Sequence, residues 1–236
     1  MSELHGHHPI SPGAATTAPR PDDALEPPWS FVAPRDGAAS GRLEIVSGAT
    51  WARITADSAM PDLCRARFEG AVPEVRAEAG TVTIRYPRHS LVDWFKDALR
   101  SDRDAATIAL TTTIPWRIEV DGGVSRLTAD LGGLRLASLR VGGGASRAVL
   151  TLPRPAGVVP VRFGGGASHL TILRPVGVAA RLRVRSGASG LTLDEQSMGA
   201  VGGQVRWQSL DFAGATDRYE IEIAGGASDL TVATRA

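Results

Sequence analysis

Val161-Arg-Phe-Gly-Gly-Gly-Ala-Ser168-His-Leu-Thr-Ile172 is the stretch whose reading decides the fold. Two apolar residues at a spacing of two precede a small-residue corner, and two more at the same spacing follow it. The pattern also stands at Leu139-Arg-Val-Gly-Gly-Gly-Ala-Ser146-Arg-Ala-Val-Leu150 and at Leu182-Arg-Val-Arg-Ser-Gly-Ala-Ser189-Gly-Leu-Thr-Leu193. Further copies are Ile118-Glu-Val-Asp-Gly-Gly-Val-Ser125-Arg-Leu-Thr-Ala129 and Ile221-Glu-Ile-Ala-Gly-Gly-Ala-Ser228-Asp-Leu-Thr-Val232. The marker serines are 21, 22, 21 and 39 residues apart. A period near that length is one solenoid coil.

The spacing inside each copy says whether the coil is helical or extended. The positions five and seven before each serine, and two and four after it, are apolar in all five copies. Successive strand side chains point to opposite faces, so a period of two buries one face of every strand. Thr128, Val149, Thr171, Thr192 and Thr231 fill the outward place between the inward pairs, where β-branched residues suit a pleated surface. Gly-Gly-Ala-Ser forms the corner between two strands, with glycine supplying positive φ and close stacking. Pro155-Ala-Gly157 and Pro175-Val-Gly177 mark a second corner. The fold expected is all-β: a single-stranded parallel β-helix, or β-solenoid, of about eight coils with two strands each. Pro160 is expected at the first residue of its strand, where a missing donor costs no ladder bond.

Outward from the core of the pattern, Leu43/Ile45 and Ala52/Ile54 frame an early coil with Thr50 in the serine slot. Gly80 followed by Val82 and Ile84 fits the same slot, and Thr107–Leu110 is a further strand. Residues 197–217, inside the long gap, read as one degenerate coil. Residues 1–40 are polar and rich in Pro, Ala and Ser, and read as a disordered tail. The solenoid domain is placed at 42–236. His5, His7 and His8 are incidental to that tail. One segment breaks the rhythm near 89–103, where Leu91, Trp94, Phe95, Ala98 and Leu99 share a helical face. It reads as a short helical insertion packed on the solenoid flank, or else as an exposed one whose Leu91, Trp94 and Phe95 form a partner-docking face.

Composition narrows the function. Lys+Arg and Asp+Glu number 26 and 25, so the whole molecule carries no strong field. A single cysteine, Cys64, rules out an internal disulfide framework. No apolar run spans a membrane and no secretory leader is visible, so the cytoplasm is the expected location, with envelope association the alternative.

Gly132 to Leu193 contains no Asp or Glu but nine arginines. Three of them, Arg140, Arg162 and Arg183, hold one outward position in three copies. In a solenoid stacked in sequence order they form a stripe spaced by about 5 Å. Repulsion along it would be relieved by solvent and counter-ions on a plain solvated face, or by an anionic polymer, glycan or acidic protein surface. Nucleic acid is disfavoured, because no aromatic platform stands beside the basic groups.

No catalytic constellation is present: the central coils lack the carboxylates that acid/base work needs, and the corner serines lack a Ser-His-Asp partnership. They read as a hydrogen-bonding ladder between turns. No cofactor or metal motif occurs. The chain therefore reads as non-enzymatic. Its partner is an unidentified protein or an anionic polymer, and self-association through the solenoid ends is a third reading.

Through Gly-Gly-Ala-Ser-x-Leu-Thr-x and Thr81-Val-Thr-Ile-Arg-Tyr-Pro-Arg88, the chain resembles the bacterial putative-adhesin β-strand-repeat proteins, called toast-rack domains. That group is similar to the C-terminal region of Lia-type cell-envelope stress-response proteins. The resemblance covers roughly 42–234. It implies a β-helix of bacterial origin with a scaffold, adhesion or envelope-stress role, and it carries over no catalytic or binding residues.

Overall fold

The computed structural model describes residues 29–70, 72–86 and 105–235. The described residues form nineteen strands, divided between two sheets. The first nine are β1 (Trp29–Ala33), β2 (Gly41–Val46), β3 (Ala49–Asp57), β4 (Cys64–Glu69), β5 (Glu74–Glu78), β6 (Thr81–Arg85), β7 (Ala105–Thr111), β8 (Pro115–Val120) and β9 (Val124–Asp130). There follow β10 (Arg135–Val141), β11 (Ala145–Thr151), β12 (Val158–Phe163), β13 (Ala167–Pro175), β14 (Ala179–Val184) and β15 (Ala188–Leu193). The last are β16 (Gln196–Met198), β17 (Val205–Gln208), β18 (Arg218–Ile223) and β19 (Ala227–Arg235), with a 3-10 turn at Phe212–Gly214.

Each copy of the motif gives one strand to each sheet, and its inward residues meet between them. All twenty apolar positions named by the pattern are buried, none more than 2% exposed. Trp116, Tyr219 and Phe68 add the largest fully buried side chains outside the pattern. Trp116 Nε1 donates to Thr111 O at 2.7 Å, and the Tyr219 hydroxyl donates to Pro153 O at 2.6 Å. Both polar tips are therefore satisfied inside an apolar core.

The sheets are mixed, and their order departs from the sequence. One runs β1-β4-β7-β3-β9-β11-β13-β19-β15-β16 and the other β17-β14-β18-β12-β10-β8-β2-β6-β5. Seven strands in each sheet pair in parallel, against the about eight coils expected. The degenerate coil expected at 197–217 is instead two short strands, β16 and β17, lying antiparallel on β15 and β14. At the other end β5 lies antiparallel on β6, and β4 and β1 extend the ten-stranded sheet antiparallel from β7. The outermost strands are three to five residues long. Short edges discourage end-on pairing.

Two strand pairs stand out of turn. The first, β2/β3, lies inside the pair β6/β7, and the last, β18/β19, lies between β12/β13 and β14/β15. The corner explains both. A Cβ on Gly143, Gly165 or Gly225 would sit 2.6–2.7 Å from the backbone nitrogen of the neighbouring corner, and one on Gly164 would lie 2.1 Å from Gly142 O. These glycines serve close stacking, not the positive φ expected of them. Positive φ falls one residue beyond the serine, at Arg147, His169 and Asp229, and at Gly157 and Gly177 of the second corner. The last pair brings Gly225 to the tight place, so it stacks on Gly166, whereas the pair before it has Ser186 there. The strands β6 and β7 are joined by residues 86–104 and not by a glycine corner, so they take an outer place.

Smaller departures have equally local causes. Val82 and Ile84 pair with Leu43 and Ile45, so β6 is a strand that precedes a corner, not one that follows it. Pro160 is the third residue of β12. The β10–β12 ladder begins one residue later, at Leu139↔Val161, beside a register shift at Leu136/Ser138. The polar stretch read as tail to residue 40 includes β1, whose Trp29 stacks on Phe68 with centroids 5.4 Å apart. The expected helical insertion, with Leu91, Trp94 and Phe95, lies outside the described residues, as do His5, His7 and His8.

Candidate functional site

The outward face of the nine-stranded sheet carries the arginines. Strand alternation fixes their direction: Leu139 and Val141 are buried, so Arg140 between them faces out, and Arg162 and Arg183 follow the same rule. Arg140 and Arg162 are directly opposite one another in the parallel ladder. Arg183 does not continue the row. Glu222 of β18 stands opposite both Arg162 and Arg183, and Arg183 faces Arg206 on its other side. The stripe of three neighbouring arginines is thus corrected to a pair, Arg140 and Arg162, and a separate Arg183.

The carboxylates near that pair are already engaged. Glu119, opposite Arg140, accepts from Arg42 Nη2 at 2.8 Å. Glu222 accepts from Arg185 Nε at 2.8 Å and lies 3.9 Å from Arg162 Nε. Among the described residues Arg140 holds no ion pair, and Arg162 only the distant one. Two residues along each strand the outward places are Ser138 and Pro160 on one side and Gly142 and Gly164 on the other. The two guanidiniums therefore stand among small neighbours along their strands, with the flanking Glu119 and Glu222 engaged elsewhere, an arrangement suited to an anion with several oxygens.

Around the corner runs a shallow open groove of about 900 Å³, lined by the Gly-Ala-Ser segments of five strand pairs. One rung of the expected serine ladder is formed, Ser146 Oγ donating to Ser125 O at 3.0 Å. Beside it the structure brings together a pair that the sequence did not join: His169 Nε2 lies 3.4 Å from Asp229 Oδ2, both about two-thirds exposed. They meet because β19 is β13's neighbour, and Ser168 pairs with Ser228 in the same ladder.

At the far end of β13, Arg174 turns inward where Leu131 and Leu152 stand in earlier repeats, and is 3% exposed. It donates through Nη2 to Asp194 Oδ2 at 2.5 Å and lies 5.9 Å from the Trp207 ring. Its Nε and Asp194 Oδ1 are buried without partners among the described residues. The pair clamps β13 to the end of β15 across β19. Cys64 is fully buried, and burial pushes its thiol up to about 12, which marks it as inert. Among the described residues no three His, Cys, Asp or Glu side chains form a metal-ligand group, and no helix is long and apolar enough to cross a membrane.

This two-sheet stack with its glycine corners defines a class of bacterial β-repeat domains. The chain belongs to the family described as the N-terminal domain of toast_rack, DUF2154, whose pattern matches residues 30–173. Among solved structures it is similar to a putative cell adhesion protein from Clostridium sporogenes, with 16% identity and a TM-score of 0.66. That match covers 89% of this chain and 99% of that one. A putative adhesin from Bacteroides fragilis is a more distant likeness, 11% identical with a TM-score of 0.32, covering 91% of this chain and 99% of that one. No curated protein matches.

Proposed function

We propose that this chain is a non-enzymatic adhesion or scaffold protein that holds an anionic polymer or an acidic surface on the outward face of its nine-stranded sheet. The observation that carries the reading is the Arg140/Arg162 pair, adjacent on one ladder, with the flanking Glu119 and Glu222 held by Arg42 and Arg185. Family membership and the adhesion role named for the Clostridium sporogenes relative support the adhesion half of it. The same likeness favours the envelope or the exterior over the cytoplasm, and the resemblance to Lia-type proteins favours a place near envelope stress. End-on self-assembly is the weaker reading, because the outer strands are short and β5 and β17 carry charge.

The test is binding of the purified protein to heparin and to anionic liposomes across a salt series. Arg140→Ser/Arg162→Ser is expected to weaken binding about tenfold or more, and Arg183→Ser, being outside the pair, by less than about twofold. Equal loss in both variants would mean that diffuse charge, not the pair, does the holding.

A further inference from the structure

The last strand pair fills a slot whose two walls come from earlier parts of the chain. β18 lies between β12 and β14, and β19 between β13 and β15, each by parallel ladders. The walls are basic on the outward face and the insert is acidic. Glu222 faces Arg162 on one side and Arg183 on the other, and Glu220 faces Arg181. Arg181 Nη2 reaches Glu220 at 2.9 Å, and Arg185 Nε reaches Glu222 at 2.8 Å. On the other sheet Asp229 meets His169. Shape agrees with charge, since Gly225 admits the close corner that Ser186 would obstruct.

The ladders, the corner and the outward ion pairs that seat this pair are made by its own residues, and only Arg218 also reaches back to the connection, donating to Ala215 O at 2.6 Å. The connection that delivers it contains no strand and is anchored at three points: Ala180 N–H donates to Ser209 Oγ at 3.0 Å, Phe212 is buried, and Gly157 N–H donates to Asp217 Oδ1 at 2.6 Å. After β17 come Ser209 to Asp217, with one 3-10 turn and Leu210 fully exposed. Nine such residues extended reach about 30 Å, several times the spacing of about 4.8 Å between strands.

We propose that the Arg218–Arg235 pair is exchangeable between copies, so that this protein is its own partner: the basic slot of one molecule takes the acidic strand pair of a second, and the reverse. The hinge lies at the exposed Ala213, Gly214 and Thr216, while Ser209, β16 and β17 stay on their own β14 and β15. The closed monomer and the exchanged dimer hold the same ladders, so concentration decides between them.

Two full-length variants test this. One carries Glu220→Arg and Glu222→Arg, which sets a basic insert against its own basic slot. The other carries Arg162→Glu, Arg181→Glu and Arg183→Glu, which sets an acidic insert against an acidic slot. Each is mismatched alone, and only exchange matches both slots at once. Refolded together at high concentration, they are expected to give a one-to-one heterodimer by light scattering and native mass measurement, melting above either variant alone. A mixture that stays monomeric, or stays as unfolded as its components, overturns the proposal. So does a mixture in which like pairs form as readily as unlike ones, since that is surface dimerisation.

Discussion

Arg162 and Arg183 hold the same place in consecutive repeats, yet they lie two strands apart, with the strand of Glu222 between them. The separation replaces a repulsive contact with two attractive ones. It also sets what a substitution at Glu222 does.

Glu222→Arg is expected to destabilise the fold by about 1–2 kcal/mol, since it removes the pair with Arg185 and places like charges opposite one another on both sides. Glu222→Gln should cost under about 1 kcal/mol. Urea unfolding measures both, and the gap between them should narrow in 1 M salt. A gap that ignores salt would sink the electrostatic account.

The corner glycines divide by what their Cβ would meet. Gly164→Ala or Gly165→Ala forces a methyl against rigid backbone, with an expected cost of about 3 kcal/mol or more. Gly214→Ala, where nothing lies within 4 Å, should change stability by less than about 0.5 kcal/mol. Thermal midpoints of the three variants compare them directly.

The buried clamp between Arg174 and Asp194 makes a sharper case. Asp194→Asn keeps a residue that tolerates the left-handed backbone at φ 51°, but strands a guanidinium that is 3% exposed. The expected cost is about 3 kcal/mol. Adding Arg174→Leu, the residue type at Leu131 and Leu152, should recover most of it. If the double variant is no better than the single one, the clamp is not the source of the loss.

Cys64 gives a pH dependence. Its thiol is raised by burial to about 12, from 9.0 in the unfolded chain, so only the unfolded state loses that proton between the two values. Stability is unaffected below pH 9. Above it, stability falls by about 1.4 kcal/mol per pH unit for this group. Tyr219, also raised by burial, adds to the fall at higher pH. Urea titrations at pH 8 and pH 10.5 should show the decline, shallower in Cys64→Ala. The native thiol should resist alkylation until the protein unfolds.

What each strand buries was legible, because a period of two is written into every repeat and the core obeys it at Leu139, Val141, Leu170 and Ile172 alike. Which strand neighbours which was not. The repeats present the same inward residues, so periodicity cannot rank their partners. The choice falls to the outward charges of Glu220 and Glu222 and to the difference between Gly225 and Ser186. Those residues were visible, but their meaning depends on a neighbour that the numbering does not name. The arginine stripe failed for the same reason, and the His169–Asp229 pair was missed for it. Had opposite charges at one register position been matched across repeats, instead of like charges counted, Glu222 would have pointed to its place.

The intercalated strand pair also fixes an order in which the layers can close during synthesis. β14 and β15 have no native parallel neighbour until β18 and β19 have left the ribosome. Residues 179–193, covered on one side by β16 and β17, must wait for residues 218–235 to cover the other. A premature stop ahead of Arg218 would therefore strip away two layers for the loss of one, leaving the Phe163 and Ile172 strands as an open, sticky end. In this fold a layer made later closes over layers made earlier.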